Sequence, residues 1–310
     1  MNIEIYRRIS LKEPVMIAGW PGMGNVALGL VAYLRESLKA EPFAQIDAKD
    51  FFPPPDAVII QNGLTSLQPP PANTFYYVKS PPLIIFESEA QLSGRGSAIL
   101  IDEILTFALR MKVQCIYTAA AFPVPRSYRE TSTVFAVANE KHLRDMLVKH
   151  QIKIMNEGQI SGLNGLLIGF AREKGIKAAC LLATLPYYAI NLPNPRSSMA
   201  IVATLTEILN LKVNLSQFDA IINEMDSRMA MIEDQMKAIF PFISQQQSED
   251  MPSLEKEKTP DYVMKRIEKL FEEAKTDKKV AHKLKEELDR WSLYQLYEDK
   301  FLDLFKGTNG

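Results

Sequence analysis

Cysteine is nearly absent: Cys115 and Cys180 are the two among 310 residues. Each sits inside an apolar run, which suits a small buried core residue better than a disulfide, a nucleophile or a metal ligand. A chain without a disulfide frame fits a reducing, cytoplasmic setting. Histidine is almost as scarce. His142, His150 and His282 show no HExxH or other metal spacing, and each falls on an amphipathic helical pattern where a surface position is expected. Charge of one sign is also missing, since 36 basic residues face 37 acidic ones for a formal −1. No whole-chain field exists to condense on nucleic acid or an anionic membrane, so neither is expected as a partner. No apolar run approaches the roughly 20 residues that span a bilayer. The first residues alternate and carry charge, unlike a secretory signal. There is no Gly-x-Ser-x-Gly elbow. No catalytic residue, metal or cofactor is therefore assigned.

Glycine, in contrast, is placed with purpose. Val15-Met16-Ile17-Ala18-Gly19-Trp20-Pro21-Gly22-Met23-Gly24-Asn25-Val26 and Asn156-Glu157-Gly158-Gln159-Ile160-Ser161-Gly162-Leu163-Asn164-Gly165-Leu166-Leu167-Ile168-Gly169 each run from an apolar segment through a glycine turn into a helical pattern. Helix N-termini present unpaired amides, so either turn could hold a phosphate, carboxylate or carbonyl. The usual nucleotide motifs do not fit. Gly19 and Gly24 have Walker A spacing, but Asn25-Val26 stands where Lys-Ser/Thr belongs. Gly22-x-Gly24 is followed by glycine only at Gly29, which breaks the dinucleotide fingerprint. Close backbone packing is the competing use of these glycines.

Up to about residue 214, extended apolar runs alternate with helical patterns, which predicts an α/β fold with a mostly parallel central sheet. Strands are expected near 3–7, 15–19, 43–48, 57–61, 75–78, 83–86, 113–118, 133–137 and 178–184. Helices are expected near 25–39, 96–111, 141–150, 163–173 and 195–210, the last capped by Asn194 with Pro195 at its first turn. The runs 15–19 and 178–184 should be interior, being apolar throughout. Pro53-Pro54-Pro55 and Pro69-Pro70-Pro71 bracket surface connections.

From Ser216 onward the pattern is helical only. Ser216 and Asp219 resemble a capping box, and Phe218, Ile222, Met225, Met229, Ile232, Met236 and Ile239 form a seam at 4,3 spacing. The polar stretch 244–259 reads as a linker. Beyond it, Val263, Ile267 and Leu270 form one stripe, Leu284, Leu288 and Trp291 another, and Tyr294, Tyr297, Phe301 and Leu304 a terminal one. The expected division is 1–214 as the α/β domain and 215–310 as a helical module, with the seam packed on the helices beyond Pro260.

Candidate ligand or interface residues follow from the turns and from polar clusters at strand ends. They are Gly22, Met23, Gly24 and Asn25 in the first turn, and Glu157, Ser161, Gly162 and Asn164 in the second. Thr184, Tyr187 and Asn191 follow the Cys180 strand, and Tyr128 lies in the polar loop after the Cys115 strand. Glu157, beside a glycine and ahead of a helix, suits anchoring of loop amides better than acid/base work.

These residues resemble the proteasome assembly chaperone family, whose prokaryotic members often carry an ATP-grasp superfamily label. The resemblance rests on Gly19 to Val26, on Tyr117 to Pro123 with Val134-Phe135-Ala136-Val137-Ala138-Asn139, and on Glu157 to Leu167. It continues through Thr184-Leu185-Pro186-Tyr187 and the Asn194-Pro195 helix, covering roughly residues 10–215 in order and spacing. It implies a three-layer α/β fold similar to the nucleoside phosphorylase and peptidyl hydrolase architecture. It also implies no established catalysis, self-association as a homo-oligomer such as a trimer or tetramer, and a protein client. Relatives engage the proteasome through a C-terminal tail of a hydrophobic residue, tyrosine and any residue, a pattern that Phe305-Lys306-Gly307-Thr308-Asn309-Gly310 does not follow. No lysine set or carboxylate cluster supports nucleotide and magnesium as the ATP-grasp label would require. The expectation is a noncatalytic, assembly-chaperone-like scaffold. The alternative is a protein that binds a nucleotide- or nucleoside-like molecule, or a hydrolase- or phosphorylase-like enzyme, using the glycine-turn pocket.

Overall fold

The computed structural model describes residues 1–239, 261–276, 280–290, 297 and 301. The elements in chain order are β1 (Asn2–Ile5), β2 (Val15–Gly19), α1 (Val26–Ser37), β3 (Glu41–Asp47), β4 (Val58–Gln61), β5 (Leu64–Leu67), β6 (Asn73–Val78), β7 (Leu83–Ser88) and α2 (Gly94–Arg110). They continue with β8 (Cys115–Val124), β9 (Val134–Ala138), α3 (Lys141–Lys149), β10 (Lys153–Ile154), α4 (Leu163–Glu173), β11 (Ala178–Pro186), α5 (Pro195–Leu209), α6 (Phe218–Ile239), α7 (Asp261–Thr276) and α8 (Val280–Arg290).

Nine strands form one sheet in the order β1-β3-β6-β7-β2-β8-β11-β9-β10. Strands β2 and β11 are interior, as their unbroken apolar character requires. The expectation of a mostly parallel sheet is corrected. Four neighbouring pairs are parallel, β7 with β2, β2 with β8, β8 with β11 and β9 with β10. The other four are antiparallel. The reason lies in the connections: a parallel return needs a crossover of a dozen or more residues, whereas β6 and β7 are joined by residues 79–82 alone. No helix separates β8 from β9 either, so β9 turns back and pairs antiparallel with β11. The strand expected at 57–61 exists as β4, but it pairs only with β5 in a separate two-stranded sheet.

Period-2 alternation shares the central strands between two cores. Met16 and Ala18 of β2 join α2 and α4 on one face, through Leu100, Ile104, Leu163 and Leu167. Ile17 between them joins α1, α3 and α5 on the other, through Leu30, Val31, Leu147, Ile201 and Leu205. The body is thus helix, sheet, helix in three layers. Each fully buried Leu, Ile or Phe contributes about 1.5–3 kcal/mol of burial, and Phe43, Phe75, Phe86 and Phe107 pack as one aromatic set on the α2 side.

The seam helix α6 packs on this body. Phe218 stacks on Tyr33 at a centroid distance of 4.1 Å, and Phe218 and Ile222 lie in the same core as α1 and α5. Met229 is buried against Tyr128 and Ala189. The guanidinium of Arg196 on α5 pairs with both carboxylate oxygens of Asp226. Asn214, rather than Ser216, supplies the capping oxygen ahead of α6, accepting from the Ser216 amide at 3.1 Å. The chain divides into compact units at 1–247 and 248–310, so α6 goes with the body. In the second unit α7 and α8 share a core of Ile267, Phe271, Ala274, Ala281, Leu284 and Leu288 with Phe301. The side chains of Met236, Ile239, Val263, Trp291, Tyr294 and Leu304, and the stretch 244–259, lie outside the described residues.

Candidate functional site

Strands β2, β7, β8 and β11 run in one direction, so the connections that follow them open at one rim of the sheet. The first glycine turn lies there. Gly24 has φ 64° and Asn25 follows in the left-handed region at φ 47°. A side chain on Gly24 would meet Leu185 Cδ2 at 2.7 Å, so this position needs glycine for both conformation and space. Its amide donates to the Ile190 carbonyl and its carbonyl accepts from the Asn194 amide, each at 2.8 Å. Asn194 caps α5 as expected, its Oδ1 accepting from the Ser197 amide at 3.0 Å. The α1 and α5 starts are therefore joined through one glycine.

The second turn reaches the same rim by another route. Strand β10 is parallel to β9, and β9 is antiparallel to β11, so β10 runs against the central strands. The segment 155–162 crosses back to place the α4 N-terminus beside the first turn. There Asn164 is buried and bonds both backbone groups of Trp20, accepting from its amide at 3.1 Å and donating to its carbonyl at 3.2 Å. Thr118 of β8 donates to the Asn164 carbonyl at 2.7 Å. Gln91, from the loop before α2, donates to the Pro21 carbonyl at 2.5 Å and accepts from the Leu163 amide at 3.0 Å. Sequence reasoning missed Gln91. Its role depends on contacts 70 and 72 residues away, and no local pattern signals them.

The remaining candidates do not gather in one place. Gly22, Met23, Gly24 and Asn25 line a shallow pocket of about 200 Å³ with Ile190, Asn191 and Leu192. Thr184 is buried, its hydroxyl accepting from Arg126 at 2.6 Å and from the Thr133 amide at 2.9 Å. Tyr128 is also buried, its amide bonding the Tyr188 hydroxyl at 3.0 Å and Glu233 of α6 at 3.1 Å. Burial first, and then hydrogen bonding to Glu233, pushes the Tyr188 phenol well above its ordinary value. Tyr187, Glu157 and Ser161 are exposed. Glu157 bonds no loop amide among the described residues, so the anchoring expected of it is not made there. Gly162, φ 78°, faces the Gln91 side chain.

A larger groove of about 530 Å³ has a different lining. Residues of α5, including Arg196, Met199 and Ala203, line it with Thr131 to Val134 and His150 to Lys153. None of the expected site residues borders it. The buried thiols offer no nucleophile: burial raises Cys115 to about 11 and Cys180 to about 12. Among the described residues, no three His, Cys, Asp or Glu side chains gather as a metal set, and no helix is long and apolar enough to cross a membrane.

Comparison with known proteins places this geometry. A family model described as the PAC2 family matches residues 16–238. An uncharacterised protein of Methanocaldococcus jannaschii is 27% identical over 212 residues, 67% of this chain and 79% of that one. Among solved structures, Pyrococcus furiosus PbaB, described as an archaeal proteasome activator, aligns with a TM-score of 0.65 at 24% identity over 75% of this chain and 98% of its own. PbaA of the same organism, described as an archaeal homolog of proteasome-assembly chaperone, aligns at 0.61 and 20% identity, over 79% and 97%. A Mycobacterium tuberculosis proteasome-assembly chaperone homologue aligns at 0.59 and 19%, over 76% and 97%.

Proposed function

The chain belongs to the PAC2 family, and from that premise we propose that it is a noncatalytic, assembly-chaperone-like scaffold that works as a homo-oligomer on a protein client. The observation that carries this reading is the occupation of the α4 N-terminus by the protein itself. The Leu163 amide, which a phosphate or carboxylate would seek, already bonds Gln91. Asn164, the polar side chain best placed beside it, already spends its amide on Trp20. Beside the two turns, Met23 is 42% and Tyr187 59% exposed. Exposed Met and Tyr beside a polar joint suit a protein surface better than a reacting small molecule.

The client is a protein subunit awaiting assembly, and the descriptions of PbaB and PbaA make a proteasome core from the chain's own cell the first candidate to examine. Quantitative mass spectrometry after affinity purification from that cell tests this. A stoichiometric partner should be recovered with the natural chain and lost with Met23→Glu and Tyr187→Glu together. Equal recovery with both would remove the rim as the contact.

A second reading is favoured by the pocket at Gly22 to Asn25, which accommodates a small polar molecule against Asn191. Turnover of nucleosides or nucleotides by the purified chain, abolished by Asn25→Ala, would establish that reading in place of the scaffold.

A further inference from the structure

We propose that the hairpin β4–β5 is a self-association arm, whose apolar face pairs with the same face of a second copy of this chain. The proposal rests on the homo-oligomeric part of the reading above and assigns that association a surface. The hairpin is separate from the nine-stranded sheet. Residues 53–70 are exposed without interruption, eighteen in a row, including Val58 at 52%, Ile60 at 70%, Leu64 at 76% and Leu67 at 68%. Local sequence nevertheless commits to this shape. Asn62 at φ 53° and Gly63 at φ 76° form the left-handed pair that a tight two-residue hairpin turn requires.

Register sorts the two faces. Val58 lies opposite Leu67 and Ile60 opposite Thr65, so these four share one face, which is apolar but for one hydroxyl. Ile59, Gln61, Leu64 and Ser66 form the other, which is mixed. No charged residue occurs between Asp56 and Lys79. The lysines that natural proteins place to guard a free strand edge are thus missing, and no cation is present to recruit nucleic acid or an anionic lipid.

Three considerations select a second copy as the occupant. A two-stranded hairpin is marginal alone in water, so this one needs permanent cover. A client that leaves would expose it again, whereas a second copy is always present at the same concentration. An uncharged apolar face can also meet itself about a twofold axis with no like charges opposed, as an isologous contact requires.

The test is the solution mass of the full chain by light scattering at micromolar concentration, without any client. The natural chain should give a multiple of 35.0 kDa. Ile60→Lys with Leu67→Lys should give a smaller multiple while keeping its helical circular dichroism, since neither residue touches the core. Replacing residues 57–68 by a Gly-Ser linker should do the same. Separately, Ile60→Cys or Leu67→Cys should oxidise to a covalent species of twice the chain mass, against a silent background from the buried Cys115 and Cys180. A natural chain of single mass overturns both the arm and the homo-oligomeric reading. An oligomer whose mass survives the arm variants, or that yields no cross-link from either cysteine, overturns the arm alone.

Discussion

The turn into α1 and the turn into α4 carry similar glycine-rich sequences and meet at one rim, yet they are held by different means. The first is fixed by backbone bonds and by lack of space, with Gly24 bonded to Ile190 and Asn194 and closed against Leu185. The second shares that lack of space, with Gly165 closed against the Ile160 carbonyl, but is fixed in addition by side-chain amides, Asn164 on Trp20 and Gln91 on Leu163. A backbone lock tolerates no added atom at Gly24 but leaves its side chains free to face solvent, as Met23 and Asn25 do. A side-chain lock uses up the polar groups that a ligand would need.

The largest effect should come from breaking the backbone lock. Gly24→Val combines a left-handed φ with the Leu185 clash and should cost about 3–5 kcal/mol or prevent folding, as measured by urea unfolding. Next comes the buried half of the side-chain lock. Asn164→Ala strands the Trp20 amide and carbonyl away from water and should cost about 2–4 kcal/mol in the same assay, with Asn164→Asp recovering part because the acceptor to the Trp20 amide survives. Gln91→Ala removes exposed bonds and should cost about 1 kcal/mol. It also frees the Leu163 amide, so millimolar phosphate should raise the melting temperature of this variant and not of the natural chain. An equal response in both would mean that Gln91 does not occupy the α4 N-terminus. Gly22→Ala should change stability by less than about 0.5 kcal/mol. Its φ of −171° is ordinary extended backbone, and the nearest atom to an added Cβ is Asn164 Nδ2 at 3.7 Å. A large loss at Gly22 would show that the two turns are more alike than their geometry says.

The same contrast explains what the sequence discloses and what it withholds. The elements themselves were legible: β2 and residues 178–183 of β11 are unbroken apolar runs, and Asn194-Pro195 announces the start of α5. Strand direction was not. A strand buried on both faces carries no mark of whether its neighbour runs with it, and β6, β7 and β9 obey short connections instead of composition. The expected seam was visible as spacing, but its partner was not, because Phe218 and Met229 meet the body through Tyr33 and Tyr128 at long sequence separation. At the rim, glycine spacing pointed to Gly24 and Asn164. It could not show Gln91, a lone amide in a loop. Glu157, attractive by its place beside a glycine, is turned to solvent.

Strand β11 sits between β8 and β9, which precede it in the chain by dozens of residues. Every residue of its nine is buried. During synthesis β8 and β9 emerge with a gap between them that nothing earlier can fill, and both must wait until residue 186 has left the ribosome. The loops that close over this gap are long, so joining the halves of the sheet is a late and slow event. A nascent chain stopped short of β11 should therefore remain open to proteases, while one that extends past Ile222 of α6 can close both cores.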